Sequence, residues 1–119
     1  MSDAPDIRHF GYRSPRYLFP ETVNIEITQG TNIRVIGAHG IDISVDGIAV
    51  AADVLFDPAE PVTVVVPLRD NSVARLSGRV LCQSQHQCRF TFEFASVEQH
   101  EQLEALIVGL AGAHFPSSQ

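Results

Sequence analysis

The sequence predicts an all-β fold with a terminal helix, a six-stranded antiparallel β-barrel capped by a C-terminal α-helix. Three observations carry that expectation. Between Val23 and Phe94 apolar and polar residues alternate with a period of two, in short runs separated by turn-forming residues. After Ser96 the spacing changes, and Leu103, Leu106, Ile107 and Leu110 step by three, one and three along a single helical stripe. The chain has 119 residues, 45% of them apolar and 18% charged, enough for one domain with a real core.

The elements follow in order. Residues 1 to about 20 predict a flexible arm, because Pro5, Pro15 and Pro20 interrupt any helix and the apolar residues keep neither period. Phe10, Tyr12, Tyr17, Leu18 and Phe19 are available to pin parts of it. Val23, Ile25 and Ile27 alternate with Asn24, Glu26 and Thr28 as a first strand with one wet face. Gln29–Asn32 is a turn, and Ile33, Val35 and Ile36 begin a second strand that Gly37 to Gly40 breaks. Ile41 to Ala51 reads as a third strand, with a bulge or kink at Gly47. Asp57–Pro61 is a loop, Val62 to Leu68 a β-branched fourth strand, Arg69–Ser72 a turn, and Val73 to Cys82 a fifth strand. Gln83–His86 forms a hairpin tip. Cys88, Phe90, Phe92 and Phe94 then oppose Arg89, Thr91 and Glu93 in the sixth.

Ser96 with Gln99 three positions on is a capping box, and Glu98, Glu101 and Glu104 favour the positive end of the helix dipole. Gly109 and Gly112 are expected to close the helix. Burying its four apolar residues contributes about 6–10 kcal/mol at roughly 1.5–3 kcal/mol per side chain, so the helix docks. The domain plan is therefore an arm over 1–20, a barrel with its helix over 21–112, and a tail over 113–119.

Charge narrows the function. The net charge is −6, and all eight basic residues are arginine. Such a domain is a poor match for a DNA or RNA polymer gripped by counterion release. Arg8, Arg13 and Arg16 cluster near the N-terminus, whereas Asp42, Asp46, Asp53, Asp57 and Glu60 follow with no base among them. Local positive charge favours a small anion. No run of eighteen apolar residues exists to span a membrane, and Met1–Asp6 does not read as a secretory signal, so a cytoplasmic location is expected.

Chemistry in the sense of catalysis finds no residues. There is no Ser-His-Asp grouping, nucleophile elbow or phosphate loop, and Asp42 and Asp46, though four apart, have no acid/base partner. Cys82 and Cys88, with His86 between them, do not have the ligand number or spacing of structural zinc, and reduced thiols are expected. No enzyme activity, metal or cofactor is called for.

The most informative segment is Ile41–Ile48, which contains Asp42, Ser44 and Gly47 as Asp-x-Ser-x-x-Gly, about twenty-five positions after Tyr12-Arg13-Ser14-Pro15-Arg16. A carboxylate and a hydroxyl two apart on a strand share a face, and the glycine permits a sharp turn. With a cationic arm nearby, this suits a flat anionic ligand whose base edges are read by Asp42 and Ser44 and whose phosphates are taken by guanidinium groups.

On these residues the chain resembles the PilZ domain, the family of bacterial cyclic di-GMP receptors, over about residues 8 to 110. The family pattern is an Arg-x-x-x-Arg arm, Asp/Asn-x-Ser-x-x-Gly on a barrel strand, further strands and a C-terminal helix. Asp42, Ser44 and Gly47 match the second motif in full, and Arg16 matches the last arginine of the first. Tyr12 stands in the place of the leading arginine, and Arg13 matches an extra arginine that many such arms carry. The resemblance implies that Arg13 and Arg16 hold phosphates and guanine edges and that Asp42 accepts guanine N–H donors. It further implies that Ser44 bonds a phosphate or orients the loop, and that Gly47 allows close approach. Arg8 or Arg13 substitutes for the missing arginine if the arm shifts, and Tyr12 stacks on a guanine.

The function implied is a receptor for cyclic di-GMP, monomeric or weakly dimeric. It passes the signal to an effector protein in motility, pili, exopolysaccharide or virulence. The alternative is a PilZ-like interaction adaptor that has lost cyclic di-GMP binding. Tyr12 supports it, because losing one bidentate contact costs roughly ten- to a hundred-fold in affinity.

Overall fold

Alternation becomes a curved wall. Val23, Ile25 and Ile27 are buried while Asn24 between them and Thr28 after them are exposed, and Val62, Val64 and Val66 repeat the pattern on a neighbouring strand. A computed structural model describes residues 14–114. Along them run β1 (Tyr17–Leu18), β2 (Thr22–Gln29), β3 (Asn32–Ile43), β4 (Gly47–Ala51), β5 (Val62–Pro67), β6 (Val73–Gln83), β7 (Gln87–Phe92) and α1 (Val97–His114). Their order is β1-β3-β2-β5-β6-β7-β4, and β4 pairs again with β3. Six antiparallel strands thus close a barrel, with β1 as an extra strand on β3. Phe90, Ile25, Ile43, Ile48 and Leu76 fill its interior with essentially no exposure.

The two mouths are closed differently. At the Arg75 end of β6, α1 presents Leu103 and Leu106 to the core, with Ile107 and Leu110 partly buried beside them. Its start is tied down by the capping residues. The Gln99 N–H donates to Ser96 Oγ (3.2 Å), and the Gln99 amide accepts from Ala95 N–H (2.9 Å) and donates to the Arg75 carbonyl (2.8 Å). At the far end of β6, the Gln83 amide clasps the backbone of Phe56, accepting its N–H at 2.9 Å and donating to its carbonyl at 2.7 Å. That clasp seats the Phe56 ring edge-on against Phe90, centroids 5.2 Å apart.

Five expectations are corrected. Gly37 to Gly40 is no break: β3 continues through it because residues 32–39 pair without interruption with β2. The segment Ile41–Ala51 is not one strand. It contains the end of β3, a turn over 44–46 and all of β4, folded as a hairpin. The register shift lies between Gly40 and Asp42, not at Gly47. Lastly, Gly109 and Gly112 do not close the helix, which runs on to His114. A Cβ on Gly109 would come within 2.9 Å of Arg69 Nη1 and 3.0 Å of its Cδ, so that glycine leaves room for the Arg69 side chain. The sixth strand also ends at Phe92, two residues early, and Phe94 packs on Phe92 and His100 beyond it.

Both cysteines are free. Cys82 faces solvent and Cys88 lines the core, where burial, aided by Cys82, pushes its thiol up to about 11.

Candidate functional site

The site is built on the β3–β4 hairpin. Ser44 N–H donates to the Gly47 carbonyl at 2.9 Å, and the Asp46 N–H donates to Ser44 Oγ at 3.1 Å, so a serine turn closes the loop. Ser44 is 6% exposed, the one buried polar side chain among the described residues. It therefore does not share an open face with Asp42, as their spacing predicts: β3 stops at Ile43, and the hydroxyl is turned to the loop's own backbone. Gly47 opens β4 against β7, where a Cβ would lie 2.1 Å from the Phe90 carbonyl oxygen. Its lack of a side chain permits a close approach between two strands of the barrel.

Asp42 faces outward on β3, paired with Leu18 on one side and Ala49 on the other. Its Oδ1 lies 3.7 Å from Arg16 Nη1 and 3.5 Å from Arg89 Nη1. Arg89 reaches it by register. Asp42 pairs with Ala49, Ala49 pairs with Arg89, and the guanidinium crosses the small alanine between them. Ala49 is only 3% exposed yet stands apart from the core cluster that holds Ile48 and Val50, as expected of an outward residue that is covered over. The result is one carboxylate flanked by two guanidinium groups on the barrel's outer wall. Neither ion pair is deeply buried, so each is worth about 1 kcal/mol or less to the fold. Their value is positional: five N–H donors on each arginine, and a carboxylate able to accept from a base edge.

The arm meets this wall directly. Tyr17 and Leu18 pair with Ile43 and Asp42, Phe19 N–H donates to the Ile41 carbonyl (3.0 Å), and Gly40 N–H donates to that of Glu21 (2.7 Å). Gly40 makes this possible, since a Cβ there would sit 2.2 Å from the Phe19 carbonyl oxygen. Ser14 Oγ donates to Asp46 Oδ2 at 2.6 Å. The structure therefore brings together Arg16, Asp42, Ser44 and Gly47 from the predicted set. Arg8, Tyr12 and Arg13 lie outside the described residues. Arg89, which the sequence places only on the wet face of its strand, and Asp46 with its Ser14 partner join the site in the structure alone.

Comparisons with known proteins identify the family and the fold. The family model of the PilZ domain matches residues 12–109. The chain belongs to the PilZ domain family. Solved PilZ domains share its fold. That of CeSA from a cellulose-synthesizing bacterium aligns with a TM-score of 0.62 at 21% identity, covering 82% of this chain and 99% of its own. The PilZ domain of YcgR from Escherichia coli, solved with cyclic di-GMP, aligns with a TM-score of 0.65 at 16% identity, covering 89% and 95%. MrkH from K. pneumonia, in its apo state, aligns at 0.57 and 12%, covering 85% of this chain and 50% of its own. No curated protein sequence matches this PilZ domain. Among its described residues no group of His, Cys, Asp and Glu is placed to hold a metal ion, and no helix is long and apolar enough to cross a membrane.

Proposed function

We propose that this PilZ domain is a cytoplasmic receptor for cyclic di-GMP that couples the level of that second messenger to a partner protein, without catalytic chemistry of its own. The observation that carries the reading is the placement of Arg16 and Arg89 on either side of Asp42. A cyclic dinucleotide offers two phosphates and two guanine edges. Guanidinium groups match phosphates and guanine O6/N7 bidentately, while the carboxylate accepts guanine N–H donors. Arg16 and Arg89 hold the unliganded site by weak ion pairs, and these are exchanged at small cost for stronger charge-assisted contacts. Arg13, and Arg8 or Tyr12 in place of the leading arginine, complete the arm in this reading.

The coupling has a physical route. β1 packs on both β3 and α1, so the strand that carries the arm is shared between the ligand wall and the helix. The effector, and whether it acts in motility, pili, exopolysaccharide or virulence, is a matter for partner capture with and without nucleotide.

An isothermal titration with cyclic di-GMP tests the proposal. Saturable binding at Kd on the order of micromolar, weakened at least tenfold by Arg16→Ala, supports it. No heat at tens of micromolar nucleotide refutes it. Tyr12 in the leading arginine position favours a second reading, an interaction adaptor that has lost the ligand. That reading predicts no titration heat and retention of a protein partner after Arg16→Ala.

A further inference from the structure

The geometry points to Asp46 as the residue that anchors the arginine arm, acting through the hydroxyl of Ser14 to fix where the chain enters the ligand site. The inference rests on the cyclic di-GMP reading above and adds a positioning residue to it.

Asp46 is one of the unspecified positions of Asp-x-Ser-x-x-Gly, yet its backbone is among the most tightly held in the hairpin. Its N–H donates to Ser44 Oγ (3.1 Å), and its carbonyl accepts from Phe92 N–H (2.9 Å) and from Thr91 Oγ1 (3.4 Å). The neighbouring Gly47 is pressed against the Phe90 backbone. The carboxylate therefore projects from a fixed point on the barrel. The described residues give it one hydrogen-bond donor, Ser14, at the short distance of a hydroxyl bonded to an ionised carboxylate, 2.6 Å.

Register gives the contact its meaning. β1 sets Leu18 opposite Asp42 and Tyr17 opposite Ile43. Past Ile43 the strand pairing ends, and the hydroxyl of Ser14 meets Asp46 in the turn over 44–46. Pro15 lies between the two contacts, with its own φ fixed and the backbone of Ser14 held extended. Asp46 to Ser14 and Asp42 to Arg16 are thus two clasps on one stiff segment. With both closed, Arg16 is held over the site before any ligand arrives, and the entropy of ordering it has already been lost. With Asp46 removed, the Ser14 clasp is lost, and Arg16 keeps its weak pair with Asp42 next to the β1 pairing that begins at Tyr17.

Two measurements test this. In nucleotide titrations, Asp46→Ala and Ser14→Ala should each weaken cyclic di-GMP binding about three- to tenfold, and the double variant should be no worse than either single one. Asp46→Asn, which keeps an acceptor for the hydroxyl, should recover binding to within about twofold of the parent. Tighter binding by Asp46→Ala, as expected of an acid that merely repels phosphate, overturns the inference, and so do additive losses in the double variant. The second measurement needs no ligand. Backbone order parameters at the Ser14 and Arg16 amides should be strand-like, about 0.8, in the parent and fall below about 0.6 in Asp46→Ala. Low values in the parent, or no change in the variant, overturn the anchoring. A parent with ordered Ser14 and Arg16 that binds no cyclic di-GMP refutes the receptor reading and leaves the anchor standing.

Discussion

Replacing Gly47 by alanine separates what the motif does for the fold from what it does for a ligand. A methyl carbon at this position would lie 2.1 Å from the Phe90 carbonyl oxygen, 3.2 Å from its carbonyl carbon and 3.3 Å from Thr91 Cα. All three are backbone atoms of β7, which is paired on both sides, to β4 and to β6, and carries the fully buried Phe90 ring. β7 therefore cannot yield, and β4 must move away by about 1 Å to reach ordinary contact distance. That movement strains the Gly47–Thr91 pairing and the bond from Phe92 N–H to the Asp46 carbonyl. Two weakened hydrogen bonds at about 1 kcal/mol each, plus overpacking at about 1–3 kcal/mol, give roughly 3–5 kcal/mol. For a domain of this size that lowers Tm by about 12–20 °C.

The assay is thermal unfolding of the nucleotide-free protein by circular dichroism, beside Gly112→Ala as a control. Gly112 is helical, with nothing within 4 Å of a built Cβ. Alanine there should raise stability by about 0.5–1 kcal/mol through helix propensity. If Gly47→Ala unfolds within about 2 °C of the parent, the packing argument is wrong, and the glycine's value lies in the approach of a ligand alone.

Other expectations follow from the same geometry. Arg89→Ala should leave Tm within about 2 °C of the parent, because its ion pair is half-exposed, while lowering cyclic di-GMP affinity in a titration; an unchanged affinity removes Arg89 from the site. Gln83→Ala should destabilise by about 1–3 kcal/mol in denaturant titration, because it orphans both backbone groups of Phe56. Cys88, pushed by burial up to about 11, keeps its proton in the folded state where the unfolded chain has lost it. The unfolded state then binds fewer protons, so stability should fall as pH rises from about 9 to 11, by up to about 1.4 kcal/mol per pH unit, and Cys88→Ala should flatten that slope. A thiol reagent at pH 8 should meanwhile titrate one cysteine, Cys82, in the native protein and both in denaturant.

How much of this was legible in the sequence depends on the range of the interaction. The barrel was, because alternation at Val23–Ile27 and Cys88–Phe92 and the switch in spacing at Leu103 are local signals that the closed sheet simply obeys. The hairpin was not. Its turn is made by the Ser44 hydroxyl rather than by a proline or a glycine at positive φ, so Ile41–Ala51 reads as continuous strand. Glycines mislead in the other direction: Gly40 reads as a break, whereas it lets the Phe19 carbonyl lie against β3. Arg89 was out of reach for a different reason. Its meeting with Asp42 requires two register relations through β4, and no spacing within one segment encodes them.

The two halves of the motif consequently carry unequal weight as signs of a ligand. Ser44 and Gly47 satisfy needs of the barrel itself: one closes the turn with its hydroxyl, and the other makes room for the Phe90 carbonyl. A chain that had abandoned cyclic di-GMP would still require them in order to fold. Arg16 and Arg89 satisfy no comparable need. Each makes only a partly solvated ion pair at 3.5–3.7 Å, worth about 1 kcal/mol or less, and holds a positive charge beside an outward-facing carboxylate in a domain of net charge −6. Stability does not account for two guanidinium groups converging there, and the proposed receptor reading gives them a purpose, an anion with guanine edges. Titrating Arg16→Ala and Arg89→Ala is therefore a sharper test of the receptor reading than any substitution within Asp-x-Ser-x-x-Gly. In those two variants a loss of binding cannot be put down to a loss of fold.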